Sequence, residues 1–212
     1  MYKRQVDHRT GPATAVARAV TEVGSPAAVV VIAMCTAVLA AWRRRSVWPA
    51  VLILGTVVAA AGAGTVCKHI VGRARPPIPL HLTTESNFAF PSGHTTATTA
   101  LVGAVLLVYS TTARSRSRTV VAAFAAVVPV AAVAASRLYL GVHWFTDVVG
   151  GVLLGAAVTL MAMTIVLIWQ GWGSADIAPA EADRALAPAR RSVVEVPGRT
   201  TGGDAVTRRI RR

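Results

Sequence analysis

The sequence predicts an all-α fold, a polytopic membrane helix bundle, on three observations. Of its 212 residues 54% are hydrophobic and 15% charged, whereas soluble domains carry about 25% charged residues. Its 9 acidic residues avoid the middle of the chain, where Glu85 and Asp147 stand alone between Val23 and Ala175. Five uncharged runs, at 23–42, 46–67, 95–113, 119–136 and 148–175, reach or approach the roughly 20 apolar residues a spanning helix needs. About five transmembrane helices are therefore expected, preceded by a short interfacial helix.

That first element lies in segment 1–22. Ala13, Val16, Ala17 and Val20 follow i, i+3, i+4, i+7 spacing with Arg18 and Glu22 elsewhere on the wheel, the pattern of a helix lying in the interface. The run from Val23 opens the membrane domain, 23–169. No small-x-small cleavage site follows it and Arg43, Arg44 and Arg45 close it, so it reads as an uncleaved span rather than a signal peptide. Gly55, Gly62, Gly64, Gly103, Gly150, Gly151 and Gly155 fall inside the runs, where small residues let helices approach closely in lipid. Trp42, Trp48, Tyr109, Tyr139, Trp144, Phe145 and Trp169 sit near run ends, as an interfacial aromatic belt requires. Segment 170–212 turns to Ala, Pro, Gly and Arg without periodicity and is expected to be a disordered tail, its Arg residues set against anionic lipid.

Net charge is +13, with 22 basic residues, which raises nucleic-acid binding as a possibility and then excludes it by distribution. Arg43 to Arg45, Arg114, Arg116 and Arg118, and the Arg residues after Gln170 lie between or after apolar runs, where positive-inside topology places them. Five spans put these on the cytoplasmic side of a plasma membrane and the loops around 68–94 and 137–147 on the extracytoplasmic side. Cys35 and Cys67 lack CxxC spacing and fall in or at the end of apolar runs; they read as small buried residues.

The chemistry gathers in those two loops. They and their flanks hold four of the 5 His, both central acids, and Lys68, Arg73, Arg75 and Arg137, and ionisable groups at membrane depth mark function. In KHIVGRARP, Lys68 and Arg75 are two helical turns apart and Pro76 ends the element. In FPSGHTTATTA, Ser92 is a good N-cap, and the free N–H groups around Gly93 and His94 form an anion site. In SRLYLGVHWFTDVVGG, His143 and Asp147 are four apart, so a carboxylate can orient one ring nitrogen and leave the other nucleophilic. Together these supply three cations, a helix N-terminus and two histidines, an inventory suited to a tetrahedral or trigonal-bipyramidal oxyanion.

The spacing Lys68-x6-Arg75-Pro76, Pro91-Ser92-Gly93-His94, and Ser136-Arg137-x5-His143-x3-Asp147 resembles the three-part signature of the type 2 phosphatidic acid phosphatase superfamily. The resemblance implies that Lys68, Arg75 and Arg137 hold phosphate oxygens with help from the Ser92 hydroxyl and the Gly93 amide. It implies that His143 attacks phosphorus, Asp147 orients it, and His94 protonates the leaving oxygen and then activates water. Pro76, Pro91 and Ser136 support the motifs. Membrane relatives usually have six helices, so the chain departs from them at its N-terminus.

The expected activity is metal-independent hydrolysis of a lipid phosphate or diphosphate, such as phosphatidate, phosphatidylglycerophosphate or polyprenyl diphosphate, through a phosphohistidine. No cofactor, metal, nucleic acid or obligate protein partner is expected; membrane lipids and the substrate are the partners. A two-metal site lacks carboxylates to hold it. A soluble vanadate-dependent haloperoxidase, which the resemblance also embraces, conflicts with the spans, but the shared pocket predicts inhibition by vanadate. A phosphotransferase using the same histidine, and a silent anionic-lipid binder, are the alternatives.

Overall fold

Among the described residues of the computed structural model six α-helices follow one another: α1 Gly11–Val23, α2 Pro26–Arg44, α3 Trp48–Val71, α4 Gly93–Ser110, α5 Arg116–Tyr139 and α6 Phe145–Val194. The structure describes the backbone of residues 9–111, 113 and 115–194, and side chains through Trp169. Beside the helices there is one 3-10 turn, Ile78–Leu80, and no strand among the described residues. The chain divides into two units, Met1–Val166 and Leu167–Arg212. The first holds the site; the expected tail, 170–212, falls on residues whose side chains or whole placement lie outside the described set.

Local chemistry sets the helix ends. Thr10 and Ser25 cap α1 and α2, accepting from Ala13 N–H at 3.4 Å and Ala28 N–H at 3.2 Å, with proline in each first turn, where a missing N–H costs nothing. Gly72 ends α3 in the left-handed region at φ 57°, as a C-terminal glycine does without strain.

Among the described residues four helices are long and apolar enough to cross a membrane: Pro26–Arg44, Trp48–Val71, Arg116–Tyr139 and Phe145–Trp169. The run expected to supply a fifth forms α4, which does not meet that standard because it opens Gly-His-Thr-Thr-Ala-Thr-Thr. Its position explains the difference. Thr95, Thr96, Ala97, Thr98, Ala100, Leu101, Ala104 and Val108 are all buried, so α4 needs little lipid-compatible surface. It still runs the depth of the bundle: at its far end Arg44 of α2 donates to Thr111 Oγ1 at 2.7 Å and to the Val108 carbonyl. Val29, Ala33 and Ala37 of α2 and Ile53 and Val57 of α3 pack with Ala97, Leu101, Ala104 and Val108 around it. The outer helices are apolar on the outside instead, with Trp42, Val58, Phe124 and Leu153 between 64% and 75% exposed.

Helix association in lipid relies on close packing rather than on apolar burial, and α4 against α6 shows how. A Cβ on Gly151 would stand 2.8 Å from the Ser92 carbonyl oxygen, and one on Gly155 would stand 2.7 Å from that of Thr96. Only glycine permits this approach. Gly55 and Gly62, expected to act alike, face open space. The cysteines also differ from expectation: Cys35 is exposed and Cys67 half-buried, since a thiol is at home on a surface that faces acyl chains.

Helix α1 packs on α5. Its buried residues are Ala17 and Thr21, not the whole anticipated stripe, and Val16 is 63% exposed. Arg9 Nη1 and Arg18 Nη2 donate to the carbonyls of Leu80 at 3.0 Å and Leu82 at 2.9 Å, and Thr14 Oγ1 meets Tyr139 Oη at 3.2 Å. The two arginines fasten α1 to the loop between α3 and α4, and Thr14 fastens it to α5.

Candidate active site

All signature residues converge at one end of the bundle. Lys68 stands in the last turn of α3, Arg75 in the following loop, Ser92 to His94 at the start of α4, Arg137 in the last turn of α5, and His143 and Asp147 across the start of α6. A cavity of about 580 Å³ opens there, lined among others by Lys68, Arg75, Glu85, Gly93, His94 and His143. Arg137, Ser92 and Asp147 are 1%, 0% and 0% exposed and stand behind that wall.

Each cation is held by protein oxygen. Lys68 Nζ donates to the Phe88 carbonyl at 2.7 Å. Arg75 donates through Nε to the Asn87 carbonyl at 2.7 Å, through Nη2 to Asn87 Oδ1 at 2.6 Å, and through Nη1 to the Val142 carbonyl at 2.9 Å. Arg137 donates through Nη1 to Thr21 Oγ1 of α1 at 2.9 Å and through Nη2 to Glu85 Oε1, while its buried Nε has no partner among the described residues. Arg75 Nη2 lies 3.4 Å from Glu85 Oε2. One carboxylate thus faces two guanidinium groups.

Ser92 ends the cis Phe90–Pro91 turn and caps α4 in extended conformation, but its hydroxyl does not cap an N–H; it accepts from Thr95 Oγ1 at 3.1 Å. Its own N–H donates to the Asp147 carbonyl at 2.9 Å, which ties the starts of α4 and α6. Ser136 Oγ turns back to the Val133 carbonyl at 2.7 Å within α5.

Gly141, at φ 73°, makes the turn that delivers His143. The imidazole is 1% exposed. Its Nε2 is 3.3 Å from Arg75 Nη1; because a guanidinium only donates, Nε2 accepts and the proton belongs on Nδ1. Nδ1 lies 3.4 Å from Asp147 Oδ2, an ion-pair distance that does not meet hydrogen-bond geometry. Asp147 has two firm donors instead: Trp144 N–H to Oδ2 at 2.8 Å and Arg73 Nη1 to Oδ1 at 2.8 Å. The first is the back-bond of a capping box, an acid at the third helical position reaching the cap N–H.

The electrostatics follow from burial and these partners. Burial lowers the pKa of His143 from its ordinary 6.5; the Asp147 carboxylate, which raises it, does not offset this, and Arg75 and Arg137 lower it further. His143 is therefore neutral at pH 7. Burial pushes Glu85 up, but the charge and hydrogen bond of Arg137 and the charge of Arg75 win, so its carboxyl sits below its ordinary 4.5. Burial lowers Arg75 below the ordinary guanidinium range against the pull of Glu85.

Glu85 and Arg73, which fill no signature position, are both in the site. The scarcity of acid was the available signal, since Glu85 is one of only two carboxylates in the central chain. Asn87 and Thr21 carried no comparable signal. His69 and His81 stay with local backbone, bonding the carbonyls of Thr65 and Pro76 at 2.8 Å each. Among the described residues no three His, Cys, Asp or Glu side chains converge.

Comparison with known proteins agrees with this geometry. Residues 49–170, from α3 into α6, match the PAP2 superfamily. A decaprenylphosphoryl-5-phosphoribose phosphatase of Mycolicibacterium smegmatis is 41% identical over 138 residues, 64% of this chain and 69% of that one. Phosphatidylglycerophosphatase B of Bacillus subtilis is 37% identical over 113 residues, 52% and 55% of the two chains, and an undecaprenyl-diphosphatase of Sulfolobus acidocaldarius is 30% identical over 135 residues, 61% of each. The crystal structure of a transmembrane PAP2-type phosphatidylglycerolphosphate phosphatase from Bacillus subtilis superposes with a TM-score of 0.71 at 25% identity, covering 77% of this chain and 81% of that one. Fold and site define a membrane protein of the phosphatase class. The chain belongs to the PAP2 superfamily.

Proposed function

We propose that the protein hydrolyses a lipid phosphate through a covalent phosphohistidine on His143. The observation that carries this reading is the two-sided environment of the buried imidazole: Asp147 beside Nδ1, and Arg75 beside Nε2 at the cavity. Nε2 attacks phosphorus, the bond from phosphorus to the leaving oxygen breaks, and His94, on the cavity wall, supplies the proton that makes the leaving group an alcohol. Water then attacks the phosphohistidine, His94 takes its proton, and the N–P bond breaks to release inorganic phosphate. Lys68, Arg75 and Arg137, with the Gly93 amide, stabilise the equatorial oxygens. Ser92 acts through its backbone, which joins the starts of α4 and α6, while its buried hydroxyl accepts from Thr95.

The substrate is amphiphilic. Beyond the charged wall the cavity continues over Pro26 of α2, Ala60, Ala61 and Gly64 of α3, and Ala97 of α4, a strip of small residues on which an acyl or prenyl chain can lie while its phosphate meets the cations. The named relatives act on lipids of this build, so candidates are a polyprenyl-linked phosphosugar, phosphatidylglycerophosphate, phosphatidate and polyprenyl diphosphate. Positive-inside topology places the site on the extracytoplasmic face of the plasma membrane, opposite Arg43 to Arg45.

The test is phosphate release from those four lipids by purified protein in detergent, with EDTA present and His143→Ala in parallel. Turnover that survives EDTA and vanishes in the variant supports the reading. Turnover that requires metal, or persists without His143, overturns it.

A further inference from the structure

Arg73 lies two residues before Arg75, and the proposed chemistry does not use it. Its Nη1 donates to Asp147 Oδ1 at 2.8 Å and to Thr146 Oγ1 at 2.6 Å. Its carbonyl accepts from Ala89 N–H at 2.9 Å, and its guanidinium carbon lies 5.5 Å from the centre of the Phe90 ring. One residue therefore joins the loop after α3, the turn before α4 and the start of α6. Asp147 is fully buried whereas the Arg73 side chain is 40% exposed.

A carboxylate gripped by one oxygen can still turn about its terminal torsion, which is broad and two-fold. Trp144 N–H grips Oδ2; Arg73 grips Oδ1 and so fixes the plane in which Oδ2 faces His143 Nδ1 at 3.4 Å. Its charge has a second effect. The groups that act on His143 are Asp147 of α6, Arg75 of the loop after α3, and, through space, Arg137 of α5 and His94 of α4. Of these only Asp147 favours the imidazolium, and Arg73 withdraws part of that carboxylate's pull.

We infer that Arg73 is a positioning residue for the His143–Asp147 pair: it holds the carboxylate plane toward Nδ1 and draws off enough of its charge to keep the imidazole a free nucleophile. This rests on the reading of His143 as the nucleophile. Without Arg73, Asp147 both swings and pulls harder, so attack is slower and the imidazole takes up its proton at higher pH.

The experiment measures phosphate release by the full-length protein in detergent, across the acid and neutral range, on a lipid phosphomonoester that the wild type turns over. Arg73→Gln is expected to lower kcat about 100-fold, the cost of a misplaced reacting group. KM should stay within about threefold: Arg73 lines the cavity, but its Nη1 is committed to Asp147 and Thr146. The acidic limb of the kcat/KM profile should move up by about one pH unit, a shift a merely structural role would not produce. Thr146→Val, which frees Arg73 on one side, should move kcat and the acidic limb the same way by less. Wild-type values of both quantities in both variants, or a loss confined to KM, overturn the inference. Should melting show Arg73→Gln unfolded, Thr146→Val decides, and an unmoved acidic limb overturns it. A wild type that turns over without a phosphohistidine would overturn the underlying reading, and the inference with it.

Discussion

Glu85 bridges Arg75 and Arg137, residues from different elements of the site, with its Oε1 on Arg137 Nη2 and its Oε2 3.4 Å from Arg75 Nη2. A phosphate that binds these guanidinium groups has to share them with that carboxylate. Glu85→Gln removes a competing charge and also a partner of a nearly inaccessible cation. Inhibition by vanadate, a phosphate mimic, is expected to tighten severalfold in the variant. Stability is expected to fall by about 1–3 kcal/mol, the cost of weakening a buried charged hydrogen bond. Vanadate titration of activity and thermal melting in detergent check the two effects; unchanged inhibition with unchanged melting would show that Glu85 is idle.

Acid should destabilise the protein through two groups with the same sign. His143 has a folded pKa below its ordinary 6.5, so the unfolded chain binds the proton first, and its contribution to stability is lost as pH falls from 6.5 through the folded value. Glu85 is depressed below 4.5, and its contribution, present above 4.5, is lost as pH falls through its own lower value. The melting temperature is expected to decline in two stages on acidification, the upper one weakened in His143→Gln. A melting temperature that rises between neutral pH and 5 would contradict the His143 assignment, and one that rises as pH falls below 4.5 would contradict that of Glu85.

The α4–α6 contact predicts a sharp contrast among glycines. At Gly155 a Cβ would meet the Thr96 carbonyl oxygen at 2.7 Å, whereas at Gly55 nothing lies within 4 Å. Gly155→Ala should cost about 1–3 kcal/mol by overpacking and disturb the start of α4, while Gly55→Ala should be neutral or slightly stabilising. Melting temperatures of the two single variants measure the difference, and equal values would mean the helices do not approach as described.

What the sequence disclosed was the part governed by spacing along one helix or loop. Lys68, Arg75, His94, Arg137, His143 and Asp147 belong to motifs whose internal intervals reflect a shared site, and they converge as their pattern implies. Pairings between loops were hidden. Glu85 meets Arg137 across 52 residues and Arg73 meets Asp147 across 74, and no periodicity records such a contact. Helix α4 forms where its run predicts, but hydropathy does not say which helix is central. The segment before Pro26 showed a weak stripe, yet its most consequential residue is the polar Thr21, whose hydroxyl holds Arg137.

The central claim is the covalent intermediate on His143, and rapid quenching tests it directly. Wild-type protein mixed with a lipid carrying a labelled terminal phosphate, then quenched within the first turnover, is predicted to carry label that is stable to alkali, labile to acid and absent in His143→Ala. Full turnover without labelled protein, or label that persists in His143→Ala, would contradict the account.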